Sequence, residues 1–240
     1  MTRSHRHEEL EMNLVLSGRA AYLVGRKRVD LEAKSLVWFF PDEEHILIDT
    51  TPDFYFWLGV WQPSFLKKLK KNGAPADLTA RKYERHHRKL SPPIFQRMRM
   101  LCEETSEAPK PAFENAQAFL IQKLWQVFSE GGETSGREVH PAVAQAARAL
   151  QDEPSLDIAG MAERLELTPD HLSKLFRSQM GLPLAKYRTR QRLEKVLAQV
   201  RDEKADLTSA ALAGGFGSYS AFHRAFHSVH HVSPREWFKR

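Results

Sequence analysis

The chain has 240 residues, 42% of them hydrophobic and 28% charged, a normal globular mix with room for one large domain or two ordinary ones. Its net charge of +6 favours a polyanionic partner. The single cysteine, Cys102, excludes an internal disulfide and fits a reducing cytosol. Because no apolar run reaches membrane-spanning length and the N-terminus lacks an apolar secretion segment, we expect a soluble, cytoplasmic protein without a membrane segment.

Residues 10–61 are predicted to form strands. β-Branched and aromatic clusters are interrupted there by Gly18, Gly25 and a polar turn, a pattern typical of short strands joined by tight turns. The last segment of this region, residues 53–61, is apolar on both faces. Such a strand is expected to be buried on both sides, as it would be inside a barrel or a sandwich.

Histidine and glutamate residues form a spaced motif near the N-terminus. The segment "HRHEELEMNLVLSG" holds His5, His7 and Glu11, and His45 follows Glu11 by 34 residues. This spacing resembles the motif pair of the cupins, although Ser35 replaces the glycine that usually opens the second motif. The resemblance implies a cupin-like β-barrel, a double-stranded β-helix, in which the four side chains would bind one divalent metal ion. A barrel that keeps the motif without a metal is the alternative, and no other cofactor is expected.

Aromatic residues are concentrated in the predicted strands. Strand alternation sends about half of them inward, where most belong to the core. A ligand-binding barrel also needs a pocket, and aromatic walls suit flat apolar molecules or the faces of sugars. We therefore expect a small-molecule pocket that includes Trp38, Phe40, Phe54 and Phe56.

After Pro63 the pattern changes from strand to helix. A short basic helix over 64–71 and a helix that begins after Ser91 are predicted first. A further helix, 112–128, carries an apolar stripe that can pack on the barrel or face a second copy of the chain, and we expect it to form a homodimer contact. The polar, glycine-rich residues 129–140 are predicted to be a linker, and everything after them to be helical.

The C-terminal half contains one pattern twice, fifty residues apart. Phe222 and Phe226 lie on one face of a predicted helix whose opposite face is rich in hydrogen-bonding side chains, and Leu172 and Phe176 occupy the same positions in the first copy. Each of these helices follows a short helix and a tight turn. Their predicted N-caps are Thr168 and Ser218. Two such copies predict two helix-turn-helix motifs rather than a generic helical bundle.

Positive charge is concentrated on the first copy and on the helix that follows it. No acidic residue occurs from His171 to Leu193, a stretch that carries six lysines and arginines. Such residues would meet DNA phosphates while a recognition helix enters a major groove. The spacer helix, 183–200, is about 26 Å long, and groove segments on one side of a duplex are about 34 Å apart. One chain would thus hold two adjacent groove segments.

The last hundred residues, 141–240, resemble the DNA-binding domain of the AraC/XylS family. The resemblance rests on "LTPDHLSKLFRSQMGLPLAKYRTRQRLEKV" and on "AALAGGFGSYSAFHRAFHSVHHVSPREWF", which follows the family pattern of Gly-Phe, two serines flanking one residue, Phe-x-Arg-x-Phe and Ser-Pro. Two residues depart from the pattern. Gly214 stands where a larger apolar residue is usual, which would loosen the second copy. His231 stands where glycine is frequent, which would change the turn before Ser233.

The resemblance also implies which side chains contact DNA. Bases would be read by the outer faces of the two recognition helices, through Asp170, Ser173, Lys174, Arg177, Tyr219, Ser220, His223 and Arg224. Arg224 is the best candidate, because a guanidinium can bind guanine through two hydrogen bonds. Asp170 would accept from cytosine or only stabilise the N-terminus of its helix. Phosphates would be bound by Arg188, Arg190 and His227.

Together these features predict an α+β protein with three parts: a sensing and dimerisation domain over 1–128, the linker 129–140, and an all-α domain over 141–240 with two helix-turn-helix motifs joined by a long helix. The family resemblance implies a transcription activator that responds to a small molecule, binds double-stranded DNA and contacts RNA polymerase. The segment "LVWFFPDEEH" resembles the melibiose-regulator type and points to a sugar as effector.

Two other functions fit parts of the sequence. A metal-dependent cupin enzyme fused to a DNA-targeting module would need His5, His7, Glu11 and His45 together with an open coordination position. A DNA binder without sequence preference would show similar affinity for all sequences and a salt dependence set by phosphate contacts alone. Of the three, we expect the ligand-responsive regulator, and no enzymatic activity.

Overall fold

A computed structural model describes residues 7–75, 78, 86–130, 136–202 and 205–239. The chain forms two compact units, one comprising His5–Glu138 and the other Val139–Arg240. The first contains two β-sheets with three helices and the second is helical, which confirms the predicted α+β class. The boundary between the units lies inside the predicted linker 129–140, of which residues 131–135 are outside the described part.

The first unit is built on two four-stranded antiparallel sheets. Their strands are, in chain order, β1 (Leu10–Ser17), β2 (Arg19–Val24), β3 (Lys27–Glu32), β4 (Ser35–Phe39), β5 (His45–Thr50), β6 (Tyr55–Trp61), β7 (His87–Lys89) and β8 (Arg137–Glu138). One sheet has the strand order β6-β1-β4-β7 and the other has the order β5-β2-β3-β8. The turn between β2 and β3 contains Gly25, whose positive φ of 57° suits a tight hairpin.

Strand alternation divides the apolar residues of this unit between two clusters. Val37 and Phe39 on β4 face the other sheet, where the ring of Phe39 lies 4.9 Å from that of Tyr22. Trp38 and Phe40 alternate with them and belong to a second cluster, between the first sheet and the helices. Both clusters are closely packed, since Trp38, Phe39 and Phe40 are fully buried.

The strand β6 stands at the edge of its sheet, so the prediction that residues 53–61 are buried on both sides is wrong. Leu58 and Val60 on this strand are exposed to solvent. Trp57 and Trp61 point the other way and pack in the cluster beneath the helices. Apolar composition alone does not separate an edge strand with one open face from a central strand, because exposed apolar residues are common on protein surfaces.

Three helices complete the first unit, and they lie where the sequence predicts helices. They are α1 (Pro63–Lys71), α2 (Pro92–Glu107) and α3 (Lys110–Ser129). The inner face of α3 packs on the first sheet, with the rings of Trp125 and Phe128 at 5.5 Å and 6.3 Å from that of Trp38. Phe119 is exposed on its outer face, whereas Phe113 is on the same face as Leu120 and is exposed near the N-terminal end of the helix. The predicted dimer contact of this helix would therefore have to use the outer face.

The short strands β7 and β8 are not predicted by the sequence. β7 pairs with β4, and the side chain of Arg88 on β7 donates to the Val127 carbonyl of α3. β8 lies within the predicted linker and pairs with β3. Strands of two or three residues carry no measurable periodicity, so only their backbone pairing reveals them. The end of the predicted linker is thereby attached to the first unit.

The second unit has seven helices among its described residues. They are α4 (Pro141–Asp152), α5 (Ile158–Arg164), α6 (Pro169–Met180), α7 (Leu184–Asp202), α8 (Leu207–Ala213), α9 (Tyr219–His230) and α10 (Pro234–Trp237). We call α5 and α6 the first helical pair and α8 and α9 the second, and the long helix α7 joins them. Nowhere in the described ranges does a helix combine the length and the apolar character needed to cross a membrane.

The two helical pairs have the same backbone geometry in their turns. Leu167 donates its N–H to the Ala162 carbonyl in the first pair, and 49 residues later Phe216 donates to the Ala211 carbonyl, both at 3.0 Å. The residue that precedes each donor has a positive φ, of 56° in the first pair and 88° in the second. This left-handed residue ends one helix and redirects the chain into the next. The sequence repeat is therefore also a structural repeat.

Candidate nucleic-acid interface

The recognition helices of the two pairs, α6 and α9, begin alike. The hydroxyl oxygen of Thr168 accepts a hydrogen bond from the His171 N–H, and that of Ser218 accepts one from the Ala221 N–H, both at 3.2 Å. The two predicted N-caps are thus confirmed. They order the first turn of each helix, the part of a recognition helix that meets base edges in the major groove.

Each recognition helix packs its apolar face into a core of its own. In the first pair Phe176 contacts Tyr187 of α7, with ring centroids 5.4 Å apart. In the second pair Phe222 contacts both Phe216 and Phe226, each at 5.6 Å. The helix α7 contributes to both cores, because its N-terminal half faces α6 and its C-terminal half faces α8 and α9. The opposite faces of α6 and α9 are left toward solvent.

Those opposite faces carry the residues that the family resemblance assigns to base contacts. Five of the eight side chains are exposed, namely Asp170, Lys174, Arg177, Ser220 and Arg224. The other three are half-buried, namely Ser173, Tyr219 and His223. The fold therefore brings each set of four to one helix face, and their contacts with DNA remain a prediction.

On α6 an ion pair occupies part of this face. Nζ of Lys174 lies 2.8 Å from Oδ2 of Asp170, one helical turn away, and both side chains are 76% exposed. The hydrogen bond to Asp170 raises the pKa of Lys174. The hydroxyl of Ser173 donates to the Pro169 carbonyl at 2.7 Å. The Ser173 hydroxyl hydrogen is therefore already used within the helix. The ion pair between Lys174 and Asp170 is exposed, so it stabilises the helix only weakly and can open when DNA binds.

The outer face of α9 carries hydrogen-bond donors and no carboxylate, since residues 219–230 contain neither Asp nor Glu. Arg224 is exposed at the centre of this face. The ring of His223 lies 6.2 Å from that of Tyr219, which in turn packs against Phe222 at 5.7 Å. No carboxylate of the same helix can pair with the Arg224 guanidinium, so this face is the better suited of the two to bind an acceptor on a base.

The arginines of α7 also bind the protein itself. Arg188 donates to the Leu156 carbonyl at 3.4 Å, and Arg192 donates to the Pro154 carbonyl at 2.9 Å. These bonds attach α7 to the loop before α5, so Arg188 has a structural role that the sequence does not reveal. His227 on α9 is exposed. The phosphate contacts assigned to α7 and to His227 remain predictions.

Two aspartates stabilise the helical pairs as N-caps, a role that was not predicted from the sequence. Asp157 caps α5 by accepting from the Gly160 N–H at 3.0 Å. Asp206 caps α8 by accepting from the Thr208 and Ser209 N–H groups at 2.9 Å and 3.1 Å. These hydrogen bonds, first of all those with Ser209, lower the pKa of Asp206. An aspartate directly before a short apolar helix is a signal that would have identified both caps.

Both recognition helices end on a left-handed residue, Gly181 in α6 and His231 in α9, with φ of 73° and 58°. Each of these residues donates its N–H to the carbonyl four residues earlier, at 3.0 Å and 2.9 Å. The change of turn expected before Ser233 is therefore not seen. The histidine adopts the conformation that glycine has in the first pair.

We expect His231→Gly to raise the free energy of unfolding of the second unit by about 0.5–1 kcal/mol. A residue with a Cβ is strained in the left-handed conformation, and glycine removes that strain. The free energy gained in this way exceeds the entropic cost of ordering a glycine, which is more flexible in the unfolded chain. Thermal denaturation measures the change. Gly181→Ala is the converse variant, for which we expect a loss of about 1 kcal/mol. A lower melting temperature for His231→Gly would show that the histidine side chain stabilises this helix end.

Gly214 ends α8 at a close approach to α7. A Cβ at this position would lie 2.5 Å from Cγ2 of Val196 and 3.2 Å from the carbonyl oxygen of Arg192. Val196 is fully buried and fills the space that a larger residue would take. The loosening expected from a glycine at this position is therefore not seen.

Gly214→Ala is expected to lower the free energy of unfolding by about 1–3 kcal/mol, because the short, stiff side chain of Val196 has to move within a packed core. Urea denaturation gives the value. Gly217→Ala is the matched control, since a Cβ there would meet nothing within 4 Å, and it should change stability by less than about 0.5 kcal/mol. Equal losses at the two glycines would contradict the packing argument.

Three of the four predicted metal ligands come together in the first unit. Nε2 of His7 and Nε2 of His45 lie 3.3 Å and 3.7 Å from Oε2 of Glu11, and the ligand atoms of the three residues lie within 4.8 Å of one another. His5 lies outside the described residues. Burial raises the pKa of Glu11, but His45 and Asn13 outweigh this effect and hold the pKa below its usual value. Two imidazoles with one carboxylate are a ligand set that divalent transition metals accept.

The four aromatic residues predicted to line a ligand pocket do not lie together. Trp38 and Phe40 are buried between the first sheet and the helices, whereas Phe54 packs on the cluster between the sheets and stacks on Phe56 at 5.0 Å. Alternation along the strand sends Trp38 and Phe40 away from the space between the sheets. A separate cleft of about 350 Å³ has a different lining, formed by Glu8, Pro41, Asp42, Pro63, Leu66, Lys67 and Lys70.

Both parts of the chain match described protein families. Residues 1–124 match the AraC-like ligand binding domain, and residues 161–240 match a helix-turn-helix domain. The whole chain is 22% identical to the melibiose operon regulatory protein of Escherichia coli and covers 84% of it. Over 51% of its length the chain is 26% identical to the arabinose operon regulatory protein of Escherichia coli, of which it covers 44%. Among solved structures, ToxT from Vibrio cholerae aligns over 98% of this chain and 91% of its own, with 14% identity and a TM-score of 0.42.

The match to the ligand binding domain covers more than half of the 240 residues. The match to the helix-turn-helix domain contains both recognition helices, α6 and α9. The two matches stand in the order in which the motifs occur along the chain, and the related proteins are regulators of operons. The chain therefore belongs to the AraC family of ligand-responsive, DNA-binding transcription regulators.

Proposed function

We propose that the protein binds DNA in a sequence-specific manner and that each subunit reads two adjacent major-groove segments of a duplex. The structural repeat carries this proposal, because α6 and α9 have equivalent caps, equivalent left-handed ends and exposed polar faces. The helix α7 between them has 19 residues and is about 28 Å long. This length is comparable with the spacing of about 34 Å between successive groove segments on one side of a duplex.

The proposed contacts divide polar residues of α6, α7 and α9 between bases and phosphates. On α6 and α9 the base readers are Asp170, Ser173, Lys174, Arg177, Tyr219, Ser220, His223 and Arg224. On α7 and at the end of α9 the phosphate contacts are Arg188, Arg190 and His227. Arg224 is assigned to guanine, whose two acceptors fit a guanidinium. Asp170, which pairs with Lys174, would mainly stabilise the helix N-terminus, where a carboxylate is favourable, and would accept from cytosine as its second role.

The effector is proposed to be a small molecule bound by the first unit, and a sugar is the class we favour. Two relatives are named for the melibiose operon and the arabinose operon. The buried indole N–H groups of Trp38, Trp57 and Trp61 have no acceptor among the described residues. Buried donors without acceptors are costly, and the hydroxyl oxygens of a sugar would supply acceptors if the packed cluster around Trp38 and Trp61 opened to admit it.

The protein is further proposed to activate transcription by contacting RNA polymerase. It is also proposed to form a homodimer through α3. Phe119 on the outer face of α3 and Phe113 near its N-terminal end are exposed apolar side chains that a second copy would cover. Residues 1–128 would sense the effector and dimerise, 129–140 would link, and 141–240 would bind DNA. The effector can change DNA binding only through its different affinity for two arrangements of the protein. A regulator that acts on chromosomal DNA would work in the cytoplasm.

We propose no catalytic activity for the first unit. The relatives that align with the chain are regulatory proteins, and this supports a sensing role over the alternative of a metal-dependent enzyme fused to a DNA-targeting module. A ligand set of two histidines and one glutamate can bind a metal without turning over a substrate.

Selection of bound DNA from a random pool, with and without candidate sugars, tests the proposed function. We expect one preferred site made of two sequence blocks about one helical turn apart, with both blocks protected in a footprint on one side of the duplex. An effector sugar should change the affinity for this site. Equal affinity for all sequences would favour a binder without sequence preference. Protection of a single turn per subunit would contradict the two-segment proposal.

A further inference from the structure

Arg192, in the middle of the long helix α7, contacts parts of both helical pairs. Its carbonyl oxygen lies 3.2 Å from the place of a Cβ on Gly214, the residue that ends α8. Its Nε donates to the Pro154 carbonyl at 2.9 Å. Pro154 is buried and belongs to the loop that leads into α5. The backbone of Arg192 therefore packs on the second pair, while its side chain binds the entrance of the first.

The loop that Arg192 binds is a defined turn directly before α5. The Leu156 N–H donates to the Glu153 carbonyl at 3.1 Å. Arg188, one helical turn before Arg192, donates to the Leu156 carbonyl at 3.4 Å. The next residue, Asp157, is the N-cap of α5. Because only one residue separates this turn from the helix, a displacement of the turn also displaces the start of the first helical pair.

The turn of the second helical pair approaches the same loop. Its left-handed residue, Gly215, has a φ of 88°. A Cβ on Gly215 would lie 3.2 Å from Cβ of Ser155 and 3.3 Å from Nε of Arg192, which leaves little room for a side chain. We call this meeting of Arg192, residues 154–156 and Gly215 the joint. The entrance of the first pair and the turn of the second pair are thus in contact with one guanidinium.

The surroundings of Arg192 make its hydrogen bond important for the joint. The side chain is half-buried, and this burial, followed by the charge of Arg188, lowers the pKa of its guanidinium. An arginine nevertheless stays charged at neutral pH, and a charged donor forms a stronger hydrogen bond than a neutral one. The apolar cores of the two pairs are separate. The contacts at the joint therefore add to α7 in holding one pair against the other.

We propose that Arg192 is a positioning residue that holds α6 and α9 at one distance and angle and so sets the spacing of the two sequence blocks that the protein accepts, a role that rests on the proposed reading of two groove segments per subunit. When one recognition helix is bound, the other binds most tightly if the connection between them matches the span on the DNA. One inserted base pair moves the second block by about 3.4 Å and rotates it by about 35°. A fixed joint rejects such a site, and a loose joint accepts it.

Binding of full-length wild type and Arg192→Met to three duplexes tests this role. The duplexes are the site selected from the random pool, the same site with one base pair inserted between its blocks, and the site with one block scrambled. Methionine keeps an unbranched side chain but has no donor. We expect Arg192→Met to bind the selected site about 10-fold more weakly and to lose most of the preference of the wild type for this site over the inserted one.

Arg201→Met is the matched control, because it removes the same charge from an exposed position in the last turn of α7. It should keep the spacing preference of the wild type. On the duplex with one block scrambled, which is bound through a single recognition helix, Arg192→Met should match this control within about twofold. A merely structural role of Arg192 would weaken binding to all three duplexes alike, and this result would contradict the positioning role.

A second variant keeps the test independent of the folding of the first. Arg192→Lys retains the charge but places a methylene where Nε donates, so the spacing preference should relax here too. It decides the question if circular dichroism shows that Arg192→Met does not fold. Retention of the full spacing preference in Arg192→Lys and in a folded Arg192→Met, or its equal loss in Arg201→Met, would overturn the role of Arg192.

A footprint of the wild type on the selected site separates this inference from the proposed function. Two protected groove segments, together with an unchanged spacing preference in the Arg192 variants, would refute the positioning role alone. A single protected segment would refute the two-segment reading and the positioning role with it. Equal binding of the wild type to the selected and the inserted site would show that the joint does not fix the spacing.

Discussion

Replacing Phe222 by alanine is expected to lower the free energy of unfolding of the second helical pair by about 3–5 kcal/mol. The ring is fully buried and packs on Phe216, Tyr219 and Phe226. The change leaves a cavity in the small core formed by α7, α8 and α9. Because this core contains few side chains, few of them can move to fill the cavity. Since whole domains are stable by only about 5–15 kcal/mol, the second recognition helix should lose its fixed position.

Urea denaturation and a DNA footprint of the same variant measure the two consequences. The urea midpoint should fall, and protection should be lost in the groove segment assigned to α9. The segment assigned to α6 should stay protected, because Phe176 and Tyr187 form a separate core. Phe238→Ala removes a half-exposed ring of the same unit and should cost less than about 1 kcal/mol. Loss of protection in both segments would show that the two helical pairs fold as one unit.

The helical repeat of the second unit is predictable from the sequence because its determinants are local. The caps Thr168 and Ser218 stand next to the helices they cap, and the apolar residues of α6 and α9 recur at helical spacing. The equivalence of the left-handed helix ends at Gly181 and His231 is not visible in the same way. A histidine gives no indication of a positive φ, and only the backbone φ of 58° in the structure identifies the left-handed conformation.

In the first unit the prediction fails where a residue's partners are distant in the chain. Alternation indicates which residues of a strand share a face, but not which face meets the helices. For this reason the sequence-based prediction places Trp38 in a ligand pocket. In the structure its ring instead packs on Trp61 and Trp125. The predicted metal ligands are recognisable as residue types at a spacing, but the contacts that orient their side chains are not. The bond between Glu43 and His86 joins residues 43 positions apart.

Arg224→Ala is expected to weaken binding to the preferred DNA site by about 1–3 kcal/mol, or roughly 5- to 150-fold, with the whole loss at one or two base pairs. The side chain is exposed, so its removal should leave the fold intact. On α9 no carboxylate competes for the guanidinium, which is therefore available to the two acceptors of guanine. Competition binding with every single-base change in the site locates the base pairs at which preference is lost.

Arg224→Lys separates base reading from simple attraction to phosphates. Lysine keeps the positive charge but lacks the planar pair of donors, so discrimination should fall while the dependence of binding on salt stays as in the wild type. Arg190→Ala should behave in the opposite way, weakening all sequences alike and reducing the salt dependence. If Arg224→Ala instead left every base preference unchanged, or if lysine restored both affinity and discrimination, Arg224 would be a phosphate contact. Base reading by the second recognition helix would then have to come from Tyr219, Ser220 and His223, the other base readers proposed on its outer face.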